Sequence, residues 1–335
     1  LSKFDFEIKN VPIMIRFATI GSGVIVDSFL RGASHDPRFV FRAVYSRTPE
    51  RAADFAARYG VGTTFTSLQA LAACPHVDAV YIASPNAFHA PQAIMLMEHG
   101  KHVLCEKPLA HSLAEGKAMV RAARANRVVL MEAMKTTLMP NFTQVRNALP
   151  RIGPVRRYFA QFCQYSSRYD RFKEGEICNA FRAGLGNGSL RDLGVYGLAP
   201  LVHLFGMPQR LRASGTLLST GVDGQGSLVL TYPGMEAVVM FSKISDSFLP
   251  SEIQGENGRI VIAKLSTMSR PSLELRDGTT EDLSVPVMED DMYYELKEFI
   301  DTIEDGREES AVNTHRMSLD VLNLIDKAGK IIQSK

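Results

Sequence analysis

Residues 13–33 read IMIRFATIGSGVIVDSFLRGA. Ile13 to Ile20 is an apolar run of strand length, Gly21-Ser22-Gly23 is a tight turn, and Val24 to about Ala33 has helical spacing. Strands that are apolar almost throughout belong to parallel sheets covered by helices on both faces. A glycine pair at a strand-to-helix turn lets the backbone approach a pyrophosphate, and the helix N-terminus offers free N–H groups and a positive dipole end. Val26 stands at the third small position of GxGxxG, so the motif is incomplete. Gly21, Ser22, Gly23, Val24 and Ile25 form the candidate phosphate cradle.

The same alternation continues outward. Phe39 to Tyr45, Asp78 to Ala83, His102 to Cys105 and Val128 to Ala133 read as strands. Between them lie helices over Pro49–Tyr59, Pro91–His99 and Leu113–Ala125, the last opened by Ser112. This is an α/β, doubly wound Rossmann domain with a parallel sheet, spanning residues 1–134. A linker is expected near Met134 to Pro150. Beyond it the pattern changes. Val155–Tyr165, Leu211–Ser219, Gln225–Tyr232, Met235–Ser242, Arg259–Ala263 and Leu273–Leu275 read as strands, some joined by turns such as Pro233-Gly234. With helices over Leu190–Leu204, Met292–Ile303 and Thr314–Ile332, residues 135–335 predict an α+β domain with a large open, mainly antiparallel sheet.

The bulk numbers narrow the function classes. The 335 residues carry a formal charge of +2 without a concentrated basic face, which argues against nucleic acid as a partner. No apolar stretch reaches the ~20 residues of a membrane span, and Leu1 to Asn10 lacks the apolar core of a secretory signal. Cys74, Cys105, Cys163 and Cys178 show no metal-type spacing and read as reduced thiols. A cytoplasmic protein without membrane partners is expected, and no metal site is predicted.

The second strand ends at Tyr45-Ser46-Arg47-Thr48. An NAD site usually places a carboxylate here to accept from the ribose 2′-OH. The first carboxylate is Glu50, whereas Ser46 and Arg47 offer donors and positive charge suited to a 2′-phosphate. NADP(H) is the preferred cofactor and NAD(H) the alternative.

Three further segments combine with the turn: Ala83-Ser84-Pro85-Asn86 with His89, Cys105-Glu106-Lys107-Pro108, and Gly186-Asn187-Gly188-Ser189-Leu190-Arg191-Asp192-Leu193-Gly194-Val195-Tyr196. Together they resemble the glucose–fructose oxidoreductase, inositol dehydrogenase and MocA-type family over nearly the whole chain. Tyr196, where many members carry His, and Leu130-Met131-Glu132-Ala133-Met134 resemble the branch of dimeric dihydrodiol dehydrogenases and NADP-dependent xylose dehydrogenases. The chain departs from that branch at Lys135-Thr136-Thr137, where relatives carry Trp and Arg; it contains no Trp at all.

The resemblance implies a dehydrogenase or reductase acting on a secondary alcohol of a sugar, polyol or cyclic diol. Lys107 would contact the ribose and the substrate hydroxyl, with Pro108 after a cis peptide. Glu106 would pair with a lysine or the nicotinamide ribose. Ser84, Pro85, Asn86 and His89 would lie along the cofactor, and Arg182 would reach cofactor or substrate. A homodimer or homotetramer through the second sheet is implied. Read as chemistry, Tyr196 is the proton donor in reduction and acceptor in oxidation, its pKa lowered by the Lys107 ammonium, and Asp192 orients the lysine or the substrate. The competing expectation is an inactive NADP-sensing regulatory or interaction protein of the same fold.

Overall fold

The computed structural model describes residues 13–334, so the Leu1–Asn10 segment lies outside the described residues. The first half runs β1 (Ile15–Ile20), α1 (Val24–Ala33), β2 (Phe39–Tyr45), α2 (Pro49–Arg58), β3 (Thr63–Phe65), α3 (Leu68–Ala72), β4 (Ala79–Ile82), α4 (His89–Glu98), β5 (His102–Glu106), α5 (Leu113–Asn126) and β6 (Leu130–Ala133). Its six strands are parallel in the order β3-β2-β1-β4-β5-β6, the doubly wound order of a dinucleotide-binding sheet. Ser112 caps α5 as its sequence predicts: its hydroxyl accepts from the Glu115 amide, while the Glu115 carboxylate accepts from the His111 amide.

The rest runs α6 (Pro140–Ala148), β7 (Val155–Cys163), α7 (Tyr169–Lys173), α8 (Val195–Phe205), β8 (Arg210–Leu217), β9 (Asp223–Tyr232), β10 (Met235–Ser242), β11 (Ser251–Gly255), β12 (Gly258–Lys264), β13 (Ser269–Leu275), β14 (Thr280–Asp282), α9 (Tyr293–Glu304) and α10 (His315–Gln333). These strands form an eight-stranded sheet, β14-β13-β12-β11-β7-β10-β9-β8. It is antiparallel except where β7 and β10 run parallel.

Several sequence readings change. The expected linker is folded: Pro140 stands at the first turn of α6, and Phe142 and Val145 are buried in the second core. The short β3, β11 and β14 escaped notice because each carries one apolar residue or none, too few for a period to register. Helix α9 lies far along the chain, yet its Leu296, Phe299 and Ile300 pack against Phe17, Phe29 and Tyr81 of the first sheet's core. The first core thus draws residues from both sides of the 134/135 division. Helix α10 joins the halves, with Leu322 in the first core and Val321 and Ile325 in the second. Gly32 lets α1 meet this return: a Cβ there would stand 2.7 Å from the Tyr293 backbone nitrogen.

Candidate active site

The strand order lines up the chemistry. Adjacent strands β2, β1, β4 and β5 end at Tyr45, Ile20, Ile82 and Glu106, and their following loops carry Arg47, the Gly-Ser-Gly turn, Ser84-Pro85 and Lys107. Three strand steps of about 4.8 Å place Arg47 and Lys107 at opposite ends of a groove roughly 14 Å across the sheet. Ligands of such sheets bind at this carboxyl edge.

A cleft of about 470 Å³ occupies the Arg47 end. Gly21, Ser22 and Gly23 form its floor, and Ser84 and Pro85 one wall. Gly21 has φ +117°, and a Cβ there would meet the Ala83 carbonyl oxygen at 3.0 Å. Gly23 precedes α1 with open space where a Cβ would be. The Val24 and Ile25 side chains are exposed outside the cleft lining. What these two residues offer is amides in the first helical turn, which have no carbonyl partner within the helix. Val26 is fully buried in the first core, which explains how a branched residue serves at the third motif position.

At the β2 end Ser46 and Arg47 line the cleft, and so does Arg51, one helical turn further on. The loop around α7 adds Arg168 and Asn179 from the second half of the chain. Among the described residues that line the cleft, three are arginines and none is acidic. The predicted Arg182 is absent from this lining; its Nε donates to the Ile177 carbonyl at 3.0 Å. Arg168, fourteen residues earlier, lines the cleft instead.

Asn86 and His89 both meet backbone carbonyls. Asn86 Nδ2 donates to the Gly186 carbonyl at 2.9 Å, tying the β4 loop to the glycine-rich segment. His89 is fully buried, its Nε2 2.9 Å from the Ser84 carbonyl and its Nδ1 3.1 Å from the Pro108 carbonyl. Burial lowers its pKa against the opposing pull of the two carbonyls, and the ring lies between the β4 and β5 loops outside the cleft lining.

At the other end Lys107 follows β5, and its bond to Pro108 is cis. Its Nζ donates to Asp192 Oδ1 at 2.7 Å and to the Asp192 carbonyl at 2.9 Å, and lies 4.8 Å from the centre of the Tyr196 ring. Asp192 sits on a π turn, Leu190–Gly194, that leads into α8. Asp223 anchors that turn, accepting from Ser189 Oγ at 2.8 Å and Leu190 N at 2.6 Å. Gly188, φ +137°, is required beside it, since a Cβ would run into the Asp223 carboxylate. Asp192 and Tyr196 thus share one side through a widened turn, not through plain α-helical spacing. Sequence reading missed Lys243, whose Nζ lies 2.6 Å from Asp192 Oδ2, and no motif marks it.

Charge placement follows. Burial pulls Lys107 downward, but Asp192, Tyr196 and Glu106 outweigh it and hold the ammonium well above its usual range. Burial pushes Asp192 up, and the two lysines overcome that and hold it well below the usual carboxylate range. Tyr196 departs from expectation. Lys107 and Lys135 do pull its phenol down, but burial, assisted by Glu106 and Asp192, raises it above its ordinary value near 10. The phenol keeps its proton at neutral pH. Glu106 is buried and accepts from Tyr81 Oη at 2.6 Å; burial raises its pKa. Lys135, from the departing Lys135-Thr136-Thr137 run, pairs with Asp291 at 2.7 Å. No group of three or more metal-type side chains that could hold a metal ion occurs among the described residues.

Residues 15–134 match the model of the oxidoreductase family with an NAD-binding Rossmann fold, and residues 144–261 match the GFO/IDH/MocA C-terminal domain. The chain is 50% identical over 317 residues to scyllo-inositol 2-dehydrogenase (NADP(+)) IolU of Bacillus subtilis, covering 95% of this chain and 97% of that protein. It is 30% identical over 334 residues to trans-1,2-dihydrobenzene-1,2-diol dehydrogenase of mouse, Mus musculus, covering 95% and 97%. Among solved structures, the 3-ketoreductase KijD10 of Actinomadura kijaniata, in complex with NADP and TDP-benzene, superposes with TM-score 0.83 at 26% identity over 95% of this chain and 98% of that one. Both halves of the chain, in the order and strand topology described, make it a member of the GFO/IDH/MocA family of oxidoreductases.

Proposed function

We propose that this chain is an NADP(H)-dependent oxidoreductase that moves a hydride between nicotinamide and a secondary alcohol or carbonyl carbon of a polyol, sugar or cyclic diol. A cyclic polyol such as scyllo-inositol, the substrate named for the Bacillus subtilis relative, is the first compound to test. One observation carries the reading. A Rossmann cleft lined by Arg47, Arg51 and Arg168 without a carboxylate shares the carboxyl edge of the first sheet with Lys107, which meets Asp192 and Tyr196. Guanidinium groups bind phosphate oxygens in bidentate fashion, and a cleft with no acid at the β2 end suits a 2′-phosphate.

When bound, the cofactor supplies the hydride chemistry. The residues handle the oxygen. Lys107 has three donors and spends two on Asp192, which leaves one for a substrate oxygen. Its fixed positive charge stabilises alkoxide character as that develops. Tyr196, protonated at neutral pH, gives its proton in carbonyl reduction and takes one back in alcohol oxidation. Asp192 holds the lysine in place. The close approach of these three groups favours an enzyme over a sensor that only binds nucleotide.

Fluorescence titration with NADPH and NADH tests the cofactor assignment. Arg47→Ala is expected to weaken NADPH binding roughly 10- to 100-fold, by the loss of a charge-assisted contact of about 1.5–3 kcal/mol, and to leave NADH binding nearly unchanged. Failure of the wild-type protein to bind either nucleotide would sink the enzyme reading.

The four cysteines are free, and no helix among the described residues is long and apolar enough to cross a membrane; both fit a cytoplasmic enzyme. The outer face of the second sheet aligns Val229, Val238 and Phe159, all half-buried, across three neighbouring strands. Such a face is a suitable surface for pairing two copies. Sedimentation velocity at micromolar protein is expected to give a dimer or tetramer, and a monomer would remove this part of the proposal.

A further inference from the structure

Lys243 is pinned by its backbone on both sides. Its amide donates to the Gly224 carbonyl at 2.8 Å, and its own carbonyl accepts from the Ser166 amide at 2.9 Å. The residue follows directly on β10, so the strand end aims its side chain inward, where it is 8% exposed. Its Nζ reaches Asp192 Oδ2, the carboxylate oxygen that Lys107 leaves free. Asp192 therefore stands between an ammonium from the first sheet and one from the second. Burying an ammonium is costly without a paired charge, so a lysine held here by backbone and burial answers a need of its neighbours.

We infer that Lys243 is a positioning residue of the catalytic unit, holding Asp192 as an oriented carboxylate while Lys107 engages the substrate oxygen. The inference rests on the reading of Lys107, Asp192 and Tyr196 as the reacting groups. With Lys107 alone, the Lys–Asp pair is neutral, and a substrate oxygen must compete with Asp192 for the ammonium. With Lys243 present, two cations face the Asp192 carboxylate. Asp192 keeps a partner at the moment Lys107 turns toward developing negative charge, and that charge meets a field already in place.

The other charged groups around Asp192 do not supply this. Tyr196, on the adjoining helix, is a neutral phenol at neutral pH. Arg191, its chain neighbour, is turned to the His111 carbonyl at 3.1 Å and Asp326 at 3.4 Å. Lys135 is committed to Asp291, and Glu106 accepts from Tyr81.

The test is the titration of Asp192, followed by carbon-13 NMR of protein labelled at aspartate carboxyls, its signal identified by its loss in Asp192→Asn. Removing one of two cations raises a carboxylate pKa, so in Lys243→Met the midpoint is expected to rise by about one to three pH units. In Lys243→Arg it stays near wild type. Turnover in Lys243→Met should fall roughly 10- to 100-fold, the scale of a misplaced reacting group, at unchanged NADPH affinity. The acid limb of kcat/KM should move to higher pH with the Asp192 midpoint. Should Lys243→Met fail to fold, as judged by NADPH binding and thermal melting, Lys243→Gln carries the same test, because it keeps a donor to Asp192 without the charge. An unmoved Asp192 midpoint, or a moved midpoint with unchanged turnover, overturns the role of Lys243. Failure of the underlying reading is a separate result, full turnover in Lys107→Met.

Discussion

Lys107→Met is expected to lower kcat by roughly 10³-fold, the upper range for removing one preorganised donor to a developing oxyanion, and to leave NADPH affinity within about threefold of wild type. The argument is geometric. Lys107 lies outside the lining of the arginine-rich cleft, so most nucleotide contacts survive its loss. Its side chain is 12% exposed, and its ammonium is in contact with both Asp192 and the Tyr196 ring. Methionine keeps the length of the side chain and removes the donors. Asp192 retains Lys243, so the variant does not strand a carboxylate without a partner. Single-turnover hydride transfer, monitored by NADPH absorbance, separates the chemical step from product release. A variant that keeps wild-type single-turnover rates would remove Lys107 from the chemistry and with it the assignment of this end of the groove.

Tyr196→Phe is the second large effect, a loss of roughly 10²–10⁴-fold in kcat, the range for a positioned general acid. Its diagnostic is the pH profile. Burial holds the phenol above its usual value near 10. In carbonyl reduction the donor stays protonated across neutral pH, so the wild-type rate should be flat there and fall only as the phenol titrates at alkaline pH. In alcohol oxidation the phenolate is the accepting form, so the rate should climb toward alkaline pH. The phenylalanine variant should lose both dependences and retain the ring contacts with Lys107 and Phe162. A variant whose oxidation rate still climbs with pH as in wild type would assign the proton transfer to another group.

The groups behind these two predictions were readable to different degrees. Glu106-Lys107-Pro108 is a contiguous run at a strand end, and Asp192 and Tyr196 lie within one short segment, so local sequence carries the signal. What local sequence did not carry is the sign of the net shift on Tyr196. A nearby ammonium is visible as a residue type, but the burial that outweighs it depends on how α8, β5 and the second sheet enclose the ring. Arg168 and Arg182 show the same limit. Both stand in one loop region with no periodic pattern, and which of them faces the cleft follows from the turn around α7 and the packing of Tyr169, Phe172 and Phe181. His89 looked like a site residue by its place after β4. Its ring is buried, with Nε2 and Nδ1 beside carbonyls of two separate loops, an arrangement its place in the sequence does not record.

Sequence alone determined the parallel, doubly wound character of the first sheet, the position of the Gly21-Ser22-Gly23 turn, the lack of a carboxylate after β2 and the choice of Lys107, Asp192 and Tyr196, which the fold brings together. Each of these is written in residues close along the chain, where period, turn chemistry and motif operate. Tertiary structure alone decided that α9 returns to cover the first sheet, that the presumed linker folds as α6, and that Arg168 closes the cleft. It also decided that Lys243 shares Asp192 with Lys107. These depend on contacts between segments separated by 50 to more than 250 positions. Burial and charge coupling act through space, and nothing in the local alternation of apolar and polar residues records which distant strand end will arrive beside a given carboxylate.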